Sequence, residues 1–373
     1  MNEIAQALLT VRKMKKLYIH IGHYKTGTSS IQKYCSDNAD ALAGSGYFYP
    51  PVARPKNNST NHGDLSLLLA ERHGFVPPGW YGGGRDIDKT YASFLQSALE
   101  APQENIVISS EEFLQLALRD DPAAAITELK DRLSAFEISI VFYIRDPMAL
   151  VKSWYNEVNK APDGTRPFPV FVKNINPEFL AQYSIWRHFA DVFGDNAIIV
   201  RAYQHMGLRH IRDFLEVIGC PHQPVGDEPR EQVAQNIEKL ELIRLAKRKD
   251  LDFDAATLSR TGPIGALSAK LERITSDFTR LAAQTGAPME STLNLANVFR
   301  HHARLIEPLV QNKCMNDKEA NILRDAAIAI EETDPEAALV LMKAAHMIRP
   351  NGPFIIEKLG AYENGKRPSA MKA

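Results

Sequence analysis

The chain has 373 residues, of which 45% are apolar and 24% charged, and its net charge is −1. Those values belong to a soluble globular protein with one large domain or two. They leave no global positive field that would recruit nucleic acid or an acidic membrane surface, so any anion site has to be local.

At the N-terminus, MNEIAQALLTVRKMKK puts its apolar stretch before its basic cluster, the reverse of a secretory leader. The three cysteines, Cys35, Cys220 and Cys314, are far apart and lack metal-type spacing, so a cytoplasmic protein with no structural metal is expected. Leu17 to Ile21 reads as a short strand ending at Gly22. Ile31, Tyr34, Cys35, Ala39 and Leu42 then fall on one face at helical spacing, so strand, loop and helix open an α/β sheet. Residues 50–85, rich in Pro, Gly and Asn, read as a functional loop or lid containing a short helix over 64–71.

Ile106 to Ile108 is a second buried strand, followed at once by Ser109, Ser110, Glu111 and Glu112. A helix is predicted over Ala123 to Phe136, and Ile138 to Ile144 is the central strand, too short to cross a bilayer. Asp146 suits the cap of a helix that Pro147 begins. Ala197 to Val200 is a further strand, and the stripe Leu208, Ile211, Phe214, Leu215 and Ile218 is a helix closing at Gly219. From about Asn236 strand signals cease, leaving helices to about Met347 and a polar tail. Asp334 to Phe354 looks like half of a tetratricopeptide unit, with Ala338, Leu341, Met342 and Ala345 on one face and no second copy. The expected domains are 1–235, α/β, and 236–373, a helical extension.

The chemistry concentrates in Gly22-His23-Tyr24-Lys25-Thr26-Gly27-Thr28-Ser29-Ser30. A loop joining a strand to a helix offers unpaired amides, two glycines let the backbone close around an anion, and Lys25 and the hydroxyls add donors. The nucleotide triphosphatase pattern requires lysine directly after the second glycine, with a hydroxyl on magnesium; here the lysine precedes it. Asp146 could pass for a magnesium aspartate, but the capping role explains it without a metal.

With KTGTSS (Lys25 to Ser30) and VFYIRDPMALVKSWYNE (Val141 to Glu157), the chain resembles the sulfotransferases that use 3′-phosphoadenosine 5′-phosphosulfate (PAPS). The resemblance spans about Lys16 to Cys220, with weak similarity over EQVAQNIEKLELI. It implies a P-loop-like three-layer α/β fold with a central, mainly parallel sheet. It also implies PAPS as donor without a metal, a 5′-phosphosulfate loop of Lys25, Thr26, Gly27, Thr28, Ser29 and Ser30, and a 3′-phosphate clamp of Arg145 and Ser153. PAPS carries anions at two ends of one adenosine, and a forked guanidinium suits the second of them. Sulfuryl transfer is an in-line displacement governed by positioning and charge, with Lys25 neutralising the bridging oxygen.

An acceptor hydroxyl needs a base. Glu111 stands where carbohydrate sulfotransferases place a catalytic glutamate, which points to a carbohydrate or glycolipid acceptor, although the Glu-Lys-Thr-Pro of many glycan members is absent. Glu112 and His62 are the competing bases. His20 reads as a hydrogen-bonded core residue, and His301 and His302 as a solvated helix face. Trp80, Trp154 and Tyr155 are aromatic residues that suit either stacking or the core. The alternatives are a small-molecule kinase using ATP and magnesium, and a non-catalytic interaction protein. Acceptor identity and oligomeric state are open at this level.

Overall fold

The computed structural model describes residues 14–81, 84–160, 167–204, 207–222, 224, 262–289, 291–311, 316–332 and 334–364. The expected boundary at 235/236, the EQVAQNIEKLELI segment, Cys314 and the terminal tail lie outside them. The described chain forms two compact units. The first holds the described residues of 1–145, 182–231 and 281–288, and the second those of 146–181, 232–280 and 289–373.

The strands are β1 (Lys15–His20), β2 (Tyr47–Phe48), β3 (Asn105–Ser109), β4 (Phe136–Ile144) and β5 (Ile198–Ala202). The helices of the first unit are α1 (Thr28–Asp37), α2 (Ala39–Gly44), α3 (Gly63–Arg72), α4 (Ile87–Glu100), α5 (Leu114–Ala117) and α6 (Pro122–Arg132). In the second unit α7 (Pro147–Lys160), α8 (Phe168–Asn174) and α9 (Pro177–Leu180) follow. α10 (Gln182–Phe193) and α11 (Leu208–Val217) return to the first, and α12 is Gly262–Thr285. The second unit ends with α13 (Leu295–Gln311), α14 (Asp317–Ile330), α15 (Pro335–Ile348) and α16 (Pro353–Glu363).

The five strands make one parallel sheet in the order β2-β3-β1-β4-β5. Successive side chains alternate between its faces, and both faces are apolar. Tyr18, Val107, Val141 and Tyr143 pack with Ile31, Tyr34 and Cys35 of α1 and Ile211, Phe214 and Leu215 of α11. The alternate positions Leu17, Ile19, Ile106, Ile108, Ile140 and Phe142 are equally buried. Two apolar faces require helices on both, which is the three-layer α/β, P-loop-like architecture. The chain leaves β1 toward β2 and β3 and later resumes on the opposite side of β1 as β4. The carboxyl end of β1 is therefore a topological switch point, where open parallel sheets bind ligands.

Several boundaries differ from the sequence reading. The helix expected to run to Phe136 stops at Arg132, and Phe136 already pairs with Lys15 as the first residue of β4. Within the expected lid over 50–85, much of what is described is packed. Residues Gly63 to Ala70 of α3 are buried, Asp64 pairs with Arg85, and Arg54 donates to Pro50 O at 2.8 Å.

In the second unit, Ala338, Leu341, Met342 and Ala345 of α15 share one core with α13, α14 and α16, as the periodicity predicts. The helical content runs on through α16, past the expected end near Met347. His301 and His302 are not on a solvated face: the His301 ring stands edge-on to Phe168 at 4.8 Å, and His302 is buried. Tyr155 is buried against Phe168 and Phe171, and Trp154 packs on Phe179, so both serve the core. Among the described residues no helix is long and apolar enough to cross a membrane.

Candidate active site

β1 and β3 of the first unit end at one level, three residues before the end of β4. His20, the last residue of β1, lies opposite Ser109 of β3 and Val141 of β4. Ile21 N–H donates to Val141 O at 3.0 Å, and Ser110 N–H donates to His20 O at 3.0 Å, extending the pairing to where the chains diverge. From this level emerge the glycine loop and the Ser110-Glu111-Glu112 turn, while β4 continues to Ile144 and delivers Arg145 at the same carboxyl edge of the sheet.

The loop owes its shape to three left-handed residues: Gly22 (φ 41°), Lys25 (φ 64°) and Gly27 (φ 77°). The conformation is easy for glycine, but in lysine it costs on the order of 1–3 kcal/mol. A side chain at Gly27 would meet the His210 ring at 2.7 Å, and one at Gly22 would meet Thr28 Cγ2 at 2.3 Å. Both glycines are thus required by space as well as by φ. Thr26 is buried and staples the loop: its hydroxyl donates to His23 O at 2.6 Å and accepts from His23 N–H at 3.0 Å. Its own N–H donates to His23 O at 3.2 Å. Thr26, expected to hold anion oxygens, instead uses both donors on the loop itself.

Gly27 caps α1 without a side-chain hydrogen bond. Among the described residues the amides of Gly27, Thr28 and Ser29 have no acceptor, whereas Ser30 N–H donates back to Gly27 O at 3.1 Å. Three open amides at the positive end of a ten-residue helix are able to receive an anion, with the Thr28, Ser29 and Ser30 hydroxyls beside them.

Arg145 joins this loop directly. Its Nη1 donates to Lys25 O at 2.7 Å, tying down the strained residue, and its guanidinium lies over the Tyr203 ring at 5.2 Å. Gln182 holds the Arg145 backbone from both sides, accepting from its N–H at 2.9 Å and donating to its carbonyl at 2.7 Å. Nε and Nη2 of Arg145 have no protein acceptor among the described residues. Behind Tyr203, His210 stands edge-on at 5.1 Å and in turn packs on Tyr143. Ser153 lies in the second unit on α7, partly buried. That helix opens as predicted, with Asp146 Oδ1 accepting from Ala149 N–H at 2.8 Å.

The candidate bases occupy three different environments. His62 is buried; Ser109 N–H donates to its Nδ1 at 3.2 Å, and its Nε2–H donates to Pro50 O at 3.0 Å. Burial, with Arg54 adding, pushes its pKa down to about 3. With both nitrogens engaged, His62 is a neutral clip between the 50–62 segment and β3. His20 is likewise a core residue, bonded through Nδ1 to Ser109 Oγ at 2.8 Å.

Glu111 and Glu112 sit on the turn that Ser110 caps, its Oγ accepting from Glu112 N–H at 3.2 Å. The Glu111 carboxylate accepts from Gln32 Nε2 of α1 at 2.6 Å. Glu112 is buried and accepts from the hydroxyl of Tyr24, a loop residue that in turn accepts from Gln115 Nε2 at 3.1 Å. Burial pushes the Glu112 pKa up to about 7; the Tyr24 bond opposes the rise, and Glu111 adds to it.

A carboxyl whose folded-state value is raised makes folding less favourable as pH rises from its unfolded value, near 4.5, to about 7. At about 1.4 kcal/mol per pH unit the loss approaches about 3 kcal/mol. Glu112→Gln should therefore melt above the wild type at pH 8, with the gain vanishing below pH 5. A difference that is flat across melting curves in this range would place the carboxyl in a more solvated setting.

The partners missed by the sequence reading are Tyr24, Gln32, Gln182, Tyr203 and His210. Gln32 alone left a local trace, as a polar side chain beside Ile31 in the apolar face of α1.

No family model matches the chain, and no curated protein matches it. Among solved structures, the crystal structure of a sulfotransferase from Alicyclobacillus acidocaldarius is similar over 73% of this chain and 96% of that one. The identity is 15% and the TM-score 0.42.

Proposed function

We propose that the chain is a sulfotransferase that moves a sulfuryl group from PAPS to an acceptor hydroxyl on a carbohydrate or glycolipid. The observation that supports this reading is the bond from Arg145 to the Lys25 carbonyl, which brings the arginine of the second motif against the glycine loop. An anion nest alone would suit many phosphates. A guanidinium with two unengaged donors beside it suits a ligand with a second anion, and ATP has none at its 3′ position.

When bound, PAPS supplies the activated sulfuryl group. The amides of Gly27, Thr28 and Ser29, with the hydroxyls of Thr28, Ser29 and Ser30, would hold the 5′ oxygens, while Thr26 keeps the loop in shape. Lys25 would neutralise charge on the bridging oxygen as its bond to sulfur breaks. Arg145 would hold the 3′-phosphate. Glu111 would take the acceptor's proton as the new oxygen–sulfur bond forms. Glu111 suits this role better than His62, which has no nitrogen left to accept a proton, and better than Glu112, which is buried behind Tyr24 while Glu111 is partly exposed.

The test is a thermal-shift comparison of 3′-phosphoadenosine 5′-phosphate (PAP) with ATP and magnesium. Ligand at a hundred times its dissociation constant stabilises the native state by about 2.7 kcal/mol. PAP is expected to raise the melting temperature and ATP with magnesium to leave it unchanged. The opposite pattern would favour a kinase, and no shift with either would favour a non-catalytic protein.

A further inference from the structure

We propose that Gln32 is a positioning residue for Glu111, setting where the carboxylate stands relative to the anion loop; this rests on Glu111 acting as the base. Gln32 is buried, and its Nε2 donates to Glu111 Oε2 at 2.6 Å. A carboxylate only accepts, so this contact fixes the amide orientation with nitrogen toward Glu111. The orientation leaves Gln32 Oε1 buried with no hydrogen-bond partner among the described residues. An unsatisfied buried carbonyl is unfavourable for folding. Gln32 therefore holds the carboxylate against the interest of stability, as expected of a group retained for the site.

The placement has a mechanical meaning. Thr28, in the anion nest, and Gln32 are one helical turn apart on the same buried face of α1, about 6 Å along its axis. The helix whose N-terminal amides receive the donor's anion thus also carries the amide that aims the base. α1 acts as a ruler between the two halves of an in-line transfer, in which a misplacement of about 1 Å costs about a hundredfold in rate.

The test uses Gln32→Met, which keeps the volume and removes both polar atoms, with PAPS hydrolysis as the assay and water standing in for the acceptor hydroxyl. Turnover is expected to fall about 10- to 100-fold, with PAP affinity within twofold of wild type and the melting temperature equal or higher. In a Glu111→Gln background the same change should cost less than twofold, because no carboxylate remains to aim. Unchanged turnover, losses that multiply independently, or a joint fall in melting temperature and PAP affinity would overturn the proposal. A Gln32→Met chain that does not fold would do so too, by showing that the amide serves the fold. Failure of PAP to stabilise the wild type would strike the donor assignment instead.

Discussion

Lys25→Ala is expected to lower PAPS turnover by about two to three orders of magnitude while weakening PAP binding by no more than about tenfold. The split follows from where the ammonium would act. Charge on the bridging oxygen grows only as the bond to sulfur breaks, so most of the interaction belongs to the transition state, and losing one such donor costs about 100- to 1,000-fold. The backbone sharpens the experiment. Residue 25 sits at φ 64°, a conformation no easier for alanine than for lysine, so the substitution removes the charge without relaxing the loop. Single-turnover rates with PAPS and calorimetry with PAP separate the two effects. Turnover near that of wild type would remove Lys25 from catalysis.

Arg145→Ala is expected to weaken PAP binding by about 100- to 1,000-fold, the equivalent of about two charge-assisted hydrogen bonds. It should also reach beyond the 3′-phosphate, because Nη1 anchors the carbonyl of Lys25. Adenosine 5′-phosphosulfate, which lacks the 3′-phosphate, makes the distinction. If Arg145 served that phosphate alone, binding of this analogue would be unchanged; the loop anchor predicts a loss there as well. Lysine should rescue little, since it cannot fork two donors or lie flat over Tyr203 at 5.2 Å. Wild-type affinity for PAP in Arg145→Ala would show that the second anion is held elsewhere.

What was legible in the sequence was what local chemistry determines. Apolar runs marked β1, β3 and β4, the two glycines and the hydroxyl cluster marked the loop, and Asp146-Pro147 announced a capped helix. What was not legible depends on contacts between distant positions. Lys25 and Arg145 are 120 residues apart, and Gln182 reaches back 37 residues to the Arg145 backbone. Nothing near Thr26 revealed that its hydroxyl would turn inward on His23, because a threonine in such a loop offers the same donor whichever way it faces. Phe136 read as helix because a single apolar residue fits either period; its pairing with Lys15 decides it. His302 failed for a related reason: its helix is amphipathic, but only the neighbouring helices settle which face is inward.

The alignment of His20, Ser109 and Val141 at one level of the sheet has a consequence for how such a chain tolerates lengthening. An added residue beside Val76 is absorbed where it occurs, since that side chain is 85% exposed. One extra residue within β4 would carry Arg145 about 3.3 Å along the strand and turn it to the other face. The same event in β1 would displace Lys25 from everything that holds it. Insertions and deletions are therefore confined to the connections, and the spacing between strand ends behaves as a fixed dimension of the protein.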